Sequence, residues 1–269
     1  MQNILTDLSE SALITAIRAN MLDFFRYLVR KNPGDCIEDK NFIRWHTRIP
    51  FPWYNGIAFS TPLDAKNEET IAASIEYFNN KKVNHFTCWF APELNAKDWE
   101  PVLKKYGFIF SNDVPGMAID LAQLDTSRQT LRGLEIHIVE DEAALRTWTN
   151  IFIPAYGLPA SWESTLFEMM LTFGFDLPTR NYLAYLDGKP VATSSMVIGG
   201  GVAGIYNVAT LPEARSQGIG AILTAAPLAE AKQMGYRAGI LQSSDMGFKV
   251  YQKLGFKHLC QIEYFQHGE

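Results

Sequence analysis

The chain has 269 residues, of which 47% are hydrophobic and 20% are charged, and its net charge is −5. This composition is typical of a globular protein and leaves room for one large domain or two smaller ones. The mild negative charge without a Lys/Arg cluster argues against a nucleic-acid partner, and no segment approaches the ~18 apolar residues of a membrane span.

In the first half of the chain, helices and strands are predicted to alternate. Apolar residues spaced three and four apart predict an amphipathic helix over residues 9–31. Further predicted elements are short strands at 36–38, 42–49 and 53–60, a helix at 68–80, a strand at 83–90 and a helix at 98–106. The run 108–121 predicts two strands broken at Pro115-Gly116.

The second half repeats this order. The predicted elements are a strand at 135–139, helices at 142–153 and 161–173, strands at 181–186, 190–198 and 202–210, a helix at 220–234, a strand at 237–243, a helix at 246–254 and a strand at 256–265. Asp187-Gly188 between two of the strands is a hairpin signal. Pro227 lies inside a predicted helix, which we expect it to bend.

A glycine-rich turn, Arg215-x-x-Gly218-x-Gly220, joins the strand at 202–210 to the next helix. Glycines let the main chain approach a ligand closely. The N–H groups of the first helical turn and the helix dipole favour an anion such as a pyrophosphate. Taken alone the pattern is weak, because such a turn can also serve the fold without any ligand.

A second motif, Tyr251-x-x-x-Gly255-Phe256, follows after one more predicted strand. The two motifs in this order resemble the GNAT superfamily of acyl-CoA-dependent N-acyltransferases. The resemblance implies an α/β fold with a mixed, mostly antiparallel sheet flanked by helices. It also implies acetyl-CoA as co-substrate and a small-molecule or peptide amine as acceptor.

The resemblance assigns a role to each part of the glycine-rich stretch. Main-chain amides of the turn would hold the CoA pyrophosphate, with added charge from an arginine; these residues are Arg215, Ser216, Gln217, Gly218, Ile219, Gly220 and Ala221. The preceding strand would splay from its neighbour. Its residues Val208, Ala209 and Thr210 would offer main-chain groups to the pantetheine arm, and an N–H there would face the thioester oxygen.

The second motif carries the expected chemistry. By resemblance, Tyr251 would protonate the departing CoA thiolate as a general acid. Ser244 and Gly247 stand where many family members have Asn and Ala, and Ser244 would bond to the pantetheine arm. The general base is not evident, because the strand before the loop offers only Tyr206 and Asn207. By analogy, Glu163, Glu168 and Asp176 lie in the substrate-facing region and Asp245 lies near the CoA helix, although a surface charge is the favoured interpretation of each. Water that relays the proton to a remote group is an equal alternative.

An internal repeat is also predicted. Residues 105–108 match residues 253–256 and residues 54–55 match residues 206–207 at nearly the same offset, with the predicted elements in the same order. We therefore expect two tandem GNAT-like domains at 1–125 and 133–269. The first copy has three acidic residues and no glycine in its loop at 61–69, and it has Leu103 in place of Tyr251. We expect it to lack a coenzyme site.

The remaining sequence features restrict partners and location. The three cysteines are far apart and the five histidines show no ligand spacing, so neither a disulfide framework nor a metal site is predicted. We expect a cytoplasmic protein that is a monomer or a homodimer. Aromatic residues in 147–175 suggest an apolar wall for the acceptor site, although burial under the sheet also explains them.

Several functions remain open. The first is an acetyl-CoA-dependent N-acetyltransferase whose inactive N-terminal copy shapes the acceptor site. The second is a non-catalytic acyl-CoA-binding sensor or scaffold. A tandem-GNAT aminoacyl-tRNA-dependent transferase is disfavoured by the intact loop and the acidic charge. A Rossmann site is weaker still, because Gly-x-Gly-x-x-Gly and its later acidic residue are missing.

Overall fold

The computed structural model describes residues 3–30, 35–47, 49–62, 64–94, 96–125 and 131–268. The helices are α1 (Glu10–Leu28), α2 (Ala65–Asn80), α3 (Glu100–Lys105), α4 (Glu142–Tyr156), α5 (Glu163–Phe173), α6 (Ile219–Gln233) and α7 (Asp245–Lys253). The strands are β1 (Cys36–Glu38), β2 (Phe42–Trp45), β3 (Gly56–Phe59), β4 (Phe86–Phe90), β5 (Phe108–Asp120), β6 (Leu134–Ile138), β7 (Thr179–Leu186), β8 (Lys189–Gly199), β9 (Val202–Thr210), β10 (Ala238–Gln242) and β11 (Lys257–His267). None of the described helices has the length and apolar character needed to cross a membrane.

The predicted α/β class is confirmed, and most predicted elements are present with ends shifted by a few residues. The break expected at Pro115-Gly116 is wrong, because β5 is a single strand. A proline has no N–H to donate, but the Pro115 carbonyl still accepts from the Ser243 amide at 2.9 Å. The hairpin at Asp187-Gly188 is confirmed, since both residues have the positive φ of a type I′ turn. Helix α6 continues through the buried Pro227.

The chain divides into two compact units. Unit 1 comprises Met1–Phe24 and Pro115–Leu259, and unit 2 comprises Phe25–Val114 and Cys260–Glu269. In unit 1 the strands are ordered β6-β7-β8-β9-β10-β5. Neighbours are antiparallel except for β9 and β10, which are parallel and joined by the crossover helix α6. Helices α4 and α6 both pack on β8 and β9, and α6 buries Leu223 and Leu228.

Unit 2 has a similar topology on a smaller scale. Its strands are ordered β1-β2-β3-β4-β11, with β3 and β4 parallel and joined by α2, and with β11 antiparallel to β4. Aromatic side chains such as Phe78, Phe86 and Trp99 form its core. Both units therefore contain antiparallel strands, one parallel crossover and a closing antiparallel strand, which is consistent with two GNAT-like halves.

The closing strand of each unit comes from the other half of the chain. Strand β5 follows α3 in sequence but pairs with β10 in unit 1, and β11 follows α7 but pairs with β4 in unit 2. The units thus differ from the expected division into 1–125 and 133–269, and residues 126–130 of that boundary lie outside the described residues. Sheet ladders are built from main-chain groups that every strand carries, so the sequence pattern did not reveal this exchange.

Candidate functional site

Strands β9 and β10 separate soon after they begin to pair. Their register joins Gly239 to Ala203 and Ile240 to Gly204, and no later pair is found between these strands in the described chain. The other side of β9 stays paired with β8 as far as Thr210. Residues 205–210 therefore have main-chain groups on the β10 side that are not used in the sheet. We call this the open edge of β9, and it includes the expected Val208, Ala209 and Thr210.

A β-bulge interrupts the open edge. Between the pairs Thr193–Ala209 and Ser195–Tyr206, β9 has one residue more than β8. Asn207 lies at this point with a positive φ of 54°. Asparagine tolerates this conformation better than most residues do. The bulge changes the direction of the main-chain groups that follow it on the open edge.

Hydrogen bonds from two neighbouring strands hold the bulge in place. The Thr193 hydroxyl donates to the Asn207 carbonyl at 3.0 Å, and the Asn207 side-chain amide donates to the Ser195 hydroxyl at 3.0 Å. The Ser195 hydroxyl donates in turn to the side-chain carbonyl of Asn181 at 2.6 Å. Asn181, Thr193 and Ser195 are all buried. Sequence reasoning missed this network, because its members are far apart in the chain.

The glycine-rich turn leads from β9 to an uncapped helix start. Gly218 is the N-cap of α6 with a φ of 81°, and it has no side chain to bond the first-turn amides. A Cβ added there would meet no atom within 4 Å, so the space beside it is open. Ile219 is buried and anchors the first turn, whereas Ser216 and Gln217 are exposed. This is the arrangement of an anion site at a helix N-terminus.

Gly220 connects this helix start with the open edge of β9. A Cβ added at Gly220 would lie 3.9 Å from both Thr210 and Val208, which is an ordinary van der Waals distance. Protein packing alone therefore does not require a glycine at this position. The next residue, Ala221, is also small and half-buried. Small residues here keep the path from the turn to β9 clear.

Arg215, which is expected to add charge at the pyrophosphate, is held by two main-chain carbonyls. Its Nε donates to the Thr210 carbonyl and its Nη2 to the Ala155 carbonyl, both at 3.0 Å. The guanidinium thus ties the turn to the end of β9 and to the last turn of α4. Its positive charge stays beside the turn, but two of its five N–H donors are already used.

The Tyr251 side chain on α7 lies next to the first turns of α6. Burial raises the pKa of its phenol well above the ordinary value, the neighbouring Tyr156 raises it further, and a hydrogen bond with Thr224 opposes the rise. The Thr224 hydroxyl itself donates to the Gly220 carbonyl at 2.8 Å. The fold therefore brings the two sequence motifs together.

Gly247 and Ser244 serve α7 itself. A Cβ at Gly247 would approach the Tyr251 ring to 2.6 Å, so only glycine leaves room for the ring where it lies. Ser244 is the N-cap of α7, and its hydroxyl accepts from the Gly247 amide at 3.3 Å. Its expected contact with pantetheine would use the O–H donor or the second lone pair of the hydroxyl. Capping is a local signal that sequence reasoning could have found.

Neither Tyr206 nor Asn207 of β9 is placed as a general base. The Tyr206 hydroxyl donates to the side chain of Asn20 at 2.8 Å, and burial raises the pKa of this phenol. Asn207 is used in the bulge. Of the four carboxylates considered, Glu163 is half-buried and the others are exposed: Glu168, Asp176 and Asp245.

The aromatic segment at 147–175 mostly serves the core, since Trp148, Phe152, Phe167 and Phe173 are buried.

The corresponding helix start in unit 2 is closed by its own side chains. Asp64 is the N-cap of α2, and its carboxylate accepts from the Asn67 amide at 2.7 Å. A negative charge thus occupies the position where an anion would bind. Leu103 on α3 is fully buried in the unit 2 core and has no hydroxyl. The lack of a coenzyme site in this half stays a prediction, which rests on the charge of Asp64 and on the missing hydroxyl at Leu103.

The comparison with protein families matches this region. Residues 145–256 match the model of the acetyltransferase (GNAT) family. The match contains the open edge of β9, the glycine-rich turn and Tyr251. No curated protein matches the chain in sequence.

Solved structures of similar fold cover almost the whole chain. A GCN5-related N-acetyltransferase from Kribbella flavida has a TM-score of 0.72 at 19% identity, covering 94% of this chain and 96% of that one. A GCN5-related N-acetyltransferase from Sphaerobacter thermophilus has a TM-score of 0.64 at 14% identity, covering 88% and 84%. A tandem GNAT protein from the clavulanic acid biosynthesis pathway has a TM-score of 0.54 at 14% identity, covering 84% and 78%. These similarities concern the fold.

Proposed function

We propose, on the premise that residues 145–256 form a GNAT domain, that this protein transfers an acetyl group from acetyl-CoA to a primary amine by direct attack. GNAT family membership supports acyl-CoA-dependent N-acetyltransferase activity in general. One observation carries the proposal for this chain: the uncapped start of α6 at Gly218 leads directly onto the open edge of β9. An anion site is thus continuous with unpaired main-chain groups that an amide-containing arm can bond.

Acetyl-CoA is the co-substrate that fits this path. Amides of the turn, from Ser216 to Ala221, would bind the pyrophosphate, and the Arg215 charge would assist them. The pantetheine arm would extend a parallel-strand-like ladder along Val208, Ala209 and Thr210. Asp64 at the matching position of unit 2 would repel a phosphate, so we propose one coenzyme site per chain.

The chemistry would take place where the arm passes the bulge. The amine nitrogen attacks the thioester carbon, and a main-chain N–H at Val208 stabilises the negative charge that develops on the oxygen. The carbon–sulfur bond then breaks, and Tyr251 donates its proton to the thiolate and recovers one from water. The attacking amine releases its extra proton to water. A phenol keeps its proton at neutral pH, and the raised pKa of Tyr251 extends the protonated form to higher pH.

The test is a thiol-release assay with acetyl-CoA and five amines: spermidine, glucosamine, lysine, tyramine and a short peptide with a free N-terminus. We expect at least one amine to release CoA thiol faster than buffer does.

A second candidate function is a non-catalytic acyl-CoA sensor, which is favoured by the engagement of both Tyr206 and Asn207 in hydrogen bonds. Tight acetyl-CoA binding without turnover of any amine would support the sensor.

The hydrogen bonds at the bulge yield a first prediction. Ser195→Ala removes the hydroxyl that links Asn207 to Asn181, so the bulge and the Val208 amide should be less well held. We expect the affinity for acetyl-CoA to fall about fivefold more than that for CoA, which has no thioester oxygen. Calorimetry with both ligands measures this ratio.

Ser194→Ala is the matched control for this prediction. Ser194 is the adjacent residue on β8, it is fully buried, and its hydroxyl donates to the Leu223 carbonyl of α6 at 2.9 Å. The variant loses a similar hydrogen bond, but one that runs to α6 and not to Asn207 or Asn181. If both variants change the ratio of the two affinities equally, the bulge does not orient an amide toward the thioester.

A further inference from the structure

A buried asparagine of α1 lies beside the point where β9 and β10 separate. Asn20 is fully buried, and its side-chain nitrogen donates to the carbonyls of Val197 and Gly199 at 2.9 and 3.0 Å. Both neighbours can only accept, so the NH2 group must face them. The orientation of the Asn20 amide is therefore determined, and its carbonyl oxygen faces β9.

That oxygen takes the proton of the Tyr206 hydroxyl. The Tyr206 oxygen lies 2.8 Å from Asn20 Oδ1, and its ring stacks on Phe24 at 4.4 Å between centroids. Gly204 permits the contact, because a Cβ there would overlap with the Asn20 side chain. With its own proton engaged, the Tyr206 oxygen can only accept hydrogen bonds from any further partner. A hydrogen bond with Gln242 already engages this phenol, so a further donor must use the lone pair that remains.

The position of this oxygen along β9 matches the acyl end of the proposed coenzyme. Pairing with β10 ends at Gly204, and Tyr206 is two residues further on, directly before the bulge. At about 3.3 Å per residue, Tyr206 lies about 13 Å along β9 from Thr210, which adjoins the turn. An extended arm that starts at the turn thus brings its thioester toward Tyr206.

A carboxylate adds negative charge to the same place. Asp23 is one helical turn after Asn20, and its Oδ2 accepts from the Gly200 amide at 3.1 Å. Burial raises the pKa of the Tyr206 phenol, a hydrogen bond with Gln242 opposes the rise, and the negative charge of Asp23 adds a smaller rise. The N-terminal helix, outside the family match at 145–256, thus supplies polar groups to unit 1.

We propose that the Tyr206–Asn20 pair binds the acceptor amine through its N–H group, and that Asp23 makes the site selective for acceptors with additional positive charge. This inference rests on the proposed acetyl transfer. Tyr206 orients the amine by accepting one N–H, which directs the nitrogen lone pair toward the thioester carbon. Asn20 acts through Tyr206 as a positioning residue. A polyamine such as spermidine has the required chemistry, since it retains positive charge beyond the attacking nitrogen.

The first test compares Tyr206→Phe with wild type in the thiol-release assay, with spermidine as the acceptor. The variant keeps the ring on Phe24 and loses only the hydroxyl. We expect the KM for spermidine to rise at least tenfold, while the affinity for acetyl-CoA in calorimetry changes less than twofold. Tyr182→Phe is the matched control, because its buried hydroxyl donates to Glu230 at 2.7 Å elsewhere in unit 1.

The second test removes the Asp23 charge alone. Asp23→Asn keeps an oxygen for the Gly200 amide, so we expect it to fold and to bind acetyl-CoA normally. Its kcat/KM for spermidine should fall about tenfold more than its kcat/KM for tyramine, which carries no second charge. This variant also serves as the test if Tyr206→Phe does not fold.

The outcomes separate this inference from the proposed function. A wild-type protein that binds no acetyl-CoA would refute the proposed function itself. A wild-type protein that acetylates amines, with Tyr206→Phe indistinguishable from Tyr182→Phe, would overturn the inference alone. The same holds if Asp23→Asn reduces the rates with spermidine and tyramine equally. Acetyl-CoA binding without turnover of any amine would also overturn it, because no acceptor would then be held at Tyr206.

Discussion

Replacing Gly218 by glutamate should eliminate measurable binding of CoA and acetyl-CoA. The substitution places a carboxylate in the open space beside the first-turn amides of α6, where the pyrophosphate is proposed to bind. It thus adds bulk, like-charge repulsion and a competing acceptor for the same N–H groups. We expect affinity in calorimetry to fall by roughly 100-fold or more, which is the largest effect on binding that we predict.

Gly188→Glu is the control for backbone strain and charge. Gly188 also has a positive φ, of 77°, and open space around its Cβ position, but it lies at the tip of the β7–β8 hairpin. Both variants force glutamate into a left-handed conformation that costs about 1 kcal/mol. Loss of CoA affinity in Gly218→Glu alone is the expected result. Unchanged affinity in Gly218→Glu would show that the turn is not the pyrophosphate site.

The largest expected effect on turnover is that of Tyr251→Phe. Without the phenol proton, the thiolate must leave without a general acid, and positioned general acids contribute about 10²–10⁴-fold. We therefore expect kcat to fall by about that factor, with little change in acetyl-CoA affinity. The thiol-release assay measures the first quantity and calorimetry the second. Full activity in the variant would exclude Tyr251 as the acid.

The pH dependence of the wild-type rate gives an independent check on Tyr251. Its pKa is raised, chiefly by burial, so the protonated form that donates persists to higher pH than in an ordinary phenol. The rate should therefore show no alkaline decline from this group around the usual phenol pKa of about 10. A decline near that pH that is absent from Tyr251→Phe would contradict this prediction.

The sequence by itself was sufficient for the local parts of the candidate site. Strand β9, the start of α6 near Gly218 and the helix carrying Tyr251 all lie where the sequence predicts them. Each is encoded by neighbouring residues: a β-branched run, glycines that adopt unusual conformations, and a helical period. Such signals act over a few residues and need no distant partner.

Sequence reasoning could not provide the contacts between distant segments. The exchange of β5 and β11, the bond from Arg215 to the Ala155 carbonyl, and the hydrogen bonds that hold the Asn207 bulge all join residues far apart in the chain. Above all, Asn20 and Asp23 on α1 belong to the half expected to lack a coenzyme site, yet they reach Tyr206 and Gly200.

The sequence thus determined the elements and the turn suited to an anion, because propensity, turn chemistry and hydrophobic period depend on adjacent residues. Tertiary structure alone decided which strands close each unit and which polar groups surround β9. Main-chain hydrogen bonding is the same for every strand, and buried polar side chains find their partners only when packing brings them together.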